Sequence, residues 1–131
     1  MKYLVAMLLG ISLLKADAIE EKPLSTLTYI TKENLANVLV SSPYVIIDAY
    51  ADWCGPCKKF GPIFEEVSKE YEQKYTFAKL DVQNNQEASK TFKVSSIPTT
   101  LFLKNGQEVG RVVGFMSKEA FAAKITEYFT R

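Results

Sequence analysis

The stretch Tyr44-Val45-Ile46-Ile47-Asp48-Ala49-Tyr50 constrains this chain more than any other, because it is a nearly continuous apolar run. A run without polar alternation suits a strand covered on both faces, as at the centre of an α/β sheet. Helical periodicity starts almost directly after it. Phe60, Ile63, Phe64, Val67 and Tyr71 recur at the spacing of one helix face, which predicts a long helix from about Cys54 to Tyr71. Pro62 is expected to kink that helix, since proline removes a hydrogen bond and clashes with the preceding turn.

The remaining segments supply the layers such a strand needs. Leu27-Thr28-Tyr29-Ile30 is a short first strand, and Thr31 is placed to cap a following helix, with Glu33 in its first turn and Leu35, Val38 and Leu39 as its buried stripe. Thr76 to Val82 forms another strand. Asn84 followed by Glu87 resembles a capping box opening a short helix through Thr91. Thr99 to Leu103 and Glu108 to Val113 are strands joined through Asn105-Gly106, a strong hairpin signal. Ser117 caps a last helix presenting Phe121, Ile125, Tyr128 and Phe129. The order β-α-β-α-β-α-β-β-α predicts an α/β fold, a central mixed sheet flanked by helices on both faces.

The 131 residues fit one compact domain, and 47% hydrophobic with 24% charged residues is ordinary for a globule. The N-terminus reads differently. Lys2 precedes an apolar run from Tyr3 to Leu14, and Lys15-Ala16-Asp17-Ala18 then offers small residues at −3 and −1 of a cut. This pattern reads as a secretory signal peptide over residues 1–18, cleaved after Ala18. An uncleaved anchor and a buried helix are the alternatives, although the run is shorter than the ~20 residues a spanning helix needs. Residues 19–26 form an exposed lead-in, and the folded domain occupies 27–131. The whole chain carries a formal charge of +1, and cleavage would remove Lys2, Lys15 and Asp17, leaving no net charge. Charge therefore gives no reason to expect nucleic acid or an anionic membrane as partner.

The chain's two cysteines lie within Trp53-Cys54-Gly55-Pro56-Cys57, between the buried strand and the long helix. At a helix N-terminus the free N–H groups and the dipole favour an anion, which lowers the pKa of the first cysteine and raises its thiolate fraction. Cys57 stands one turn on, close enough to close a disulfide with Cys54 or to attack a mixed disulfide formed there. Zinc is one other reading, but it usually takes four Cys or His ligands, and the chain has no histidine and no third cysteine. A purely structural bridge is another, although a loop over two residues is trivial to close. Without histidine, Cys–His hydrolase chemistry is excluded.

From Leu27 to Arg131 the sequence resembles the thioredoxin family. Trp53-Cys54-Gly55-Pro56-Cys57 matches its active-site motif, and Asp48, six residues before Cys54, falls where the family has a buried acid. Lys79 matches a lysine near that acid, Ile97-Pro98-Thr99 the cis-proline loop, Lys104-Asn105-Gly106 the hairpin, and Gly114 a glycine beside the substrate groove. The resemblance implies that Cys54 attacks a substrate disulfide and Cys57 resolves the mixed disulfide. It also implies that Asp48, desolvated and raised in pKa, shuttles a proton for Cys57, while Lys79 opposes that shift. For Asp48 the bland alternative is a polar strand end, and for Lys79 a surface lysine. Pro98 would be cis, bending a loop whose Ile97 backbone can pair with an extended substrate. Trp53, Gly55, Pro56, Ile97, Gly114 and Phe115 would form an apolar platform for substrate; Trp53 has a core-aromatic alternative. Lys58 and Lys59 add positive charge near the thiols or are simply solvated. Tyr50 departs from a common second tryptophan, and Phe115 is bulkier than the small residue usual after the groove glycine, which would narrow substrate choice.

No cofactor beyond the Cys54–Cys57 disulfide is implied. Gly-Pro between the cysteines resembles the family's reducing members, whereas exported compartments favour disulfides. Thioredoxin and the strongly oxidising periplasmic member lie roughly 150 mV apart, about 7 kcal/mol for two electrons. The expected function is a protein-disulfide reductase for exported substrates, supplied by a thiol reductase or membrane thiol transporter and acting as a monomer. The alternatives are an oxidant or isomerase, against which the lack of histidine in the motif argues, and a non-catalytic binding module using the apolar platform. Survival of activity in Cys54→Ser with Cys57→Ser would favour the last.

Overall fold

The computed structural model describes residues 27–130. The expected signal peptide (1–18) and lead-in (19–26) lie outside the described residues. Elements follow in the expected order: β1 Leu27–Tyr29, α1 Leu35–Val40, β2 Tyr44–Tyr50, α2 Gly55–Tyr71, β3 Thr76–Asp81, α3 Gln86–Thr91, β4 Thr99–Lys104, β5 Gln107–Val113 and α4 Lys118–Phe129.

The sheet order is β1-β3-β2-β4-β5. β3 runs parallel to both β1 and β2, while β4 runs antiparallel to β2 and β5. The central position of β2 explains its apolar run: Val45 to Ala49 are all buried. Alternation along the strand divides these residues between two cores. Val45, Ile47 and Ala49 pack with Val38 of α1 and Ala88 of α3 on one face. Ile46 packs with Phe60, Phe64 and Val67 of α2 and with Phe121, Ile125 and Phe129 of α4 on the other. Asp48 and Tyr50 follow Ile46 at two-residue steps, so the same pleat turns them toward the α2 side. In β3, Phe77 and Lys79 share that side.

Local expectations were met unevenly. Ser117 caps α4, accepting the Ala120 N–H at 3.1 Å. Asn105 and Gly106 both have positive φ, 52° and 79°, as a two-residue hairpin requires. Thr31 does not cap α1 directly. It forms a reciprocal pair with Asn34 (Thr31 N–H to Asn34 Oδ1 2.7 Å, Asn34 N–H to Thr31 Oγ1 3.2 Å), and α1 starts after that turn. Asn84 does not open α3 either. Its side chain and backbone N–H both donate to the Asp81 carboxylate, and the helix begins at Gln86. A carboxylate at the end of β3 outcompetes the capping role. α2 runs as one helix through Pro62. Gly110 makes room for Tyr128, whose ring a Cβ there would overlap, and which packs on Phe102 at 4.9 Å.

Candidate active site

β2 ends at Tyr50, and Ala51 to Trp53 turn the chain into α2, so the motif sits at the carboxyl edge of the central strand. Cys54 is the N-cap of α2, with extended backbone, and Pro56 occupies the first turn. Proline fits there because its missing N–H would be unpaired anyway. The Cys57 N–H points at Cys54 Sγ from 3.3 Å, and the Lys58 N–H bonds the Cys54 carbonyl at 3.1 Å. The two cysteines are joined in a disulfide, with Cα atoms 5.2 Å apart. Both residues are only 5% exposed, with Ala51 among the buried residues around them and Tyr50, Val82 and Ile97 packed alongside.

Beneath the helix start lies the acid. Asp48 is 1% exposed and pairs in register with Lys79 on β3. The Lys79 ammonium stands 3.3 Å from Asp48 Oδ2 and has a side chain only 13% exposed. The contact is an ion pair, and neither carboxylate oxygen has a well-formed hydrogen bond among the described residues. Burial pushes the Asp48 carboxyl above its ordinary value, and the Lys79 charge pulls it part of the way back. Asp48 lies inside β2 rather than at its end, and the Lys79 side chain is mostly buried beside it.

The cis-proline loop closes the site from β4. The Ile97–Pro98 bond is cis, and the Ile97 carbonyl oxygen lies 3.8 Å from Cys54 Sγ. Gly114, at φ 101°, sends its N–H to the Pro98 carbonyl at 2.7 Å, a backbone shape for which glycine is suited. Trp53 is 69% exposed and Phe115 49%, so Trp53 is not a core aromatic. Gly55, Pro56, Lys59 and Phe115 border a hollow of about 510 Å³ beside the disulfide. Ile97 is half-buried, and Lys58 and Lys59 are exposed on the first turn.

Two supporting residues carried no local sequence signal. Gln83, in the turn after β3, accepts the Trp53 indole N–H at 2.7 Å and holds the ring on the surface. Arg111, on β5, donates to the carbonyls of Phe92 (2.7 Å) and Lys93 (3.2 Å) just past the end of α3, while its Nε and Nη2 also donate to the Glu108 carboxylate. A cation there satisfies carbonyls just past the helix end and anchors the segment leading to Pro98. Both contacts join distant parts of the chain, so spacing does not reveal them.

A helix-capping cysteine bridged to a second one turn on, above a buried acid and opposite a cis-proline, defines the thiol–disulfide oxidoreductases that use their own disulfide as redox centre. The family model described as Thioredoxin matches residues 26–127, and the chain belongs to the thioredoxin family. It is 43% identical over 91 residues to the thioredoxin of Mycobacterium tuberculosis, covering 70% of this chain and 78% of that one. Identity to the Staphylococcus aureus thioredoxin is 42% over 89 residues, covering 68% and 86%. The chain spans only 20% of the bifunctional thioredoxin reductase/thioredoxin of Mycobacterium leprae, at 42% identity over 92 residues. Among solved structures, a single-site mutant of the Halobacterium salinarum thioredoxin superimposes with a TM-score of 0.72 at 30% identity, covering 82% of this chain and 96% of that one. The thioredoxin of Malassezia sympodialis gives 0.72 at 33% identity, covering 82% and 94%.

Proposed function

We propose that this protein reduces disulfides in exported proteins, with Cys54 as the attacking thiolate and Cys57 as the resolving one. The carrying observation is the asymmetry at the start of α2: Cys54 Sγ receives the Cys57 N–H at the helix N-terminus. A thiolate at Cys54 is therefore the one stabilised by backbone donors. In the reduced protein, Cys54 attacks one sulfur of a substrate disulfide. A mixed disulfide forms and the other substrate sulfur leaves as a thiolate. Cys57 gives its proton to Asp48 and attacks Cys54 Sγ. The second substrate sulfur leaves, and Cys54–Cys57 is oxidised. Two electrons have passed to the substrate, and a dithiol reductase or membrane thiol transporter must return them.

The Gly55-Pro56 pair and the relatives named thioredoxin support the reducing direction. The exposed ring of Trp53, the Phe115 hollow and the Ile97 backbone offer an apolar and hydrogen-bonding seat for an extended substrate. Export rests on the leader-like Met1–Ala18 sequence.

Reduction potential is the deciding measurement, taken by equilibration in defined glutathione buffers with thiol trapping. A value near about −270 mV supports the reductase, and one at or above roughly −200 mV makes the protein an oxidant or isomerase. In the same reaction, Cys57→Ser is expected to accumulate a mixed disulfide with substrate and Cys54→Ser to form none. Undiminished activity of the double variant would point to a binding module instead.

A further inference from the structure

The lysine beside the buried acid is held from three directions. Asp48 lies 3.3 Å from its ammonium within the sheet. The Tyr50 ring faces the same ammonium, 4.3 Å from Nζ to the ring centroid. From above, α2 presents Gly61, where even a Cβ would stand 3.5 Å from Nζ, so the ammonium rests against a helix position that carries no side chain. The arrangement follows from the pleat: Asp48 and Tyr50 are two residues apart on β2, and Lys79 is the register partner of Asp48 on β3.

The ammonium also has somewhere else to go. A cavity of about 250 Å³, lined by Tyr50, Asp52, Cys57, Lys58 and Lys79, opens beside it. The acids Asp52 and Asp81, together with Tyr29 on β1, act electrostatically on Tyr50. Lysine is flexible and strongly hydrated, so a Lys79 not restrained by packing can turn into this space toward Asp52. Loss of its charge beside Asp48 leaves a desolvated carboxyl without a counterion.

We propose that Tyr50 is a positioning residue: its ring face holds the Lys79 ammonium on Asp48 and thereby sets the proton affinity of the carboxyl that serves Cys57. The assignment rests on the exchange reaction proposed above for the role of the carboxyl, but not for the contact itself. The ring acts through its electron-rich face. Its hydroxyl, pushed up to about 12 chiefly by burial, remains neutral and supplies no counter-charge. Phenylalanine should therefore replace tyrosine, and leucine should not.

The test is an NMR titration of the Asp48 carboxyl in the reduced full-length protein, paired with the pH dependence of single-turnover disulfide reduction. Tyr50→Phe should leave both curves in place. Tyr50→Leu should move the carboxyl midpoint up by about one pH unit and carry the acid limb of the rate profile with it. Lys79→Met should give at least the same shift, with Tyr50→Leu adding nothing to it. Unchanged titration in a folded Tyr50→Leu protein would overturn the assignment, as would a Tyr50→Leu shift that persists alongside Lys79→Met. Failure of the exchange reading would appear as absent reduction in the unmodified protein, while the carboxyl titration would still report on the contact.

Discussion

At the scale of single residues, Asp48 is where stability and chemistry oppose each other. It is a carboxyl at 1% exposure with an ion pair but, among the described residues, no well-formed hydrogen bond to its oxygens. Its pKa in the fold is raised above the ordinary 3.8. Between those two values the folded chain keeps a proton that the unfolded chain has lost. Stability therefore falls as pH rises through that window and stays lower above it. Asp48→Asn removes the titration. Its unfolding midpoint relative to the native protein is expected to climb as pH rises from about 4 and to level off above the folded pKa. Denaturation across a pH series checks this, and a difference that stays flat with pH would refute it. The same substitution should slow the Cys57-dependent step.

At the scale of elements, backbone geometry decides what side chains permit. α3 ends in a left-handed residue that is not glycine: Lys93 has φ 54°, with the Val94 N–H returning to the Ser89 carbonyl at 3.1 Å. A Cβ in that conformation costs on the order of 1–2 kcal/mol, and glycine gives back about half of any gain through unfolded-state entropy. Lys93→Gly is thus expected to stabilise the protein by roughly 0.5–1 kcal/mol, read as a higher denaturation midpoint at unchanged slope. The Arg111 bonds to the Phe92 and Lys93 carbonyls use main-chain oxygens, so they survive the change. Sequence reading succeeded here for elements whose signal is local, such as the Ser117 cap and the Asn105-Gly106 turn. It set the Thr31 cap one turn ahead of α1, where Thr31 Oγ1 accepts the Asn34 N–H, and it failed for Asn84, whose side chain and N–H go to the Asp81 carboxylate instead.

At the scale of the whole molecule, the sheet separates two cores, and Phe121 is the hub of the larger one. Its ring lies within 5.3–6.4 Å of those of Phe60, Phe64, Phe77 and Phe102, joining α4 to α2, β3 and β4. Phe121→Ala should cost about 3–5 kcal/mol, a large part of the ~5–15 kcal/mol that holds a domain folded. Urea denaturation should show the loss without a change in cooperativity. The proposed export belongs to this scale too: expressed from its own start codon in a secreting host, the protein should have the mass of a chain beginning at Ile19. Recovery of the full-length mass in the membrane fraction would identify an anchor instead.

The sequence alone determined the layered α/β order, the central strand, and the placement of Cys54 and Cys57 at the start of a helix. Each depends on a local pattern: an apolar run, a helical period or a turn pair. The resemblance carried by Trp53 to Cys57, Asp48, Lys79, Pro98 and Gly114 extended this to the site. The tertiary structure alone decided which groups meet. It laid the Tyr50 ring against Lys79, seated the Trp53 indole on Gln83, and tied Arg111 to the end of α3. These contacts cross from one element to another, and their energies depend on burial and distance. Neither quantity exists until β2 and β3 pair in register and α2 packs over them.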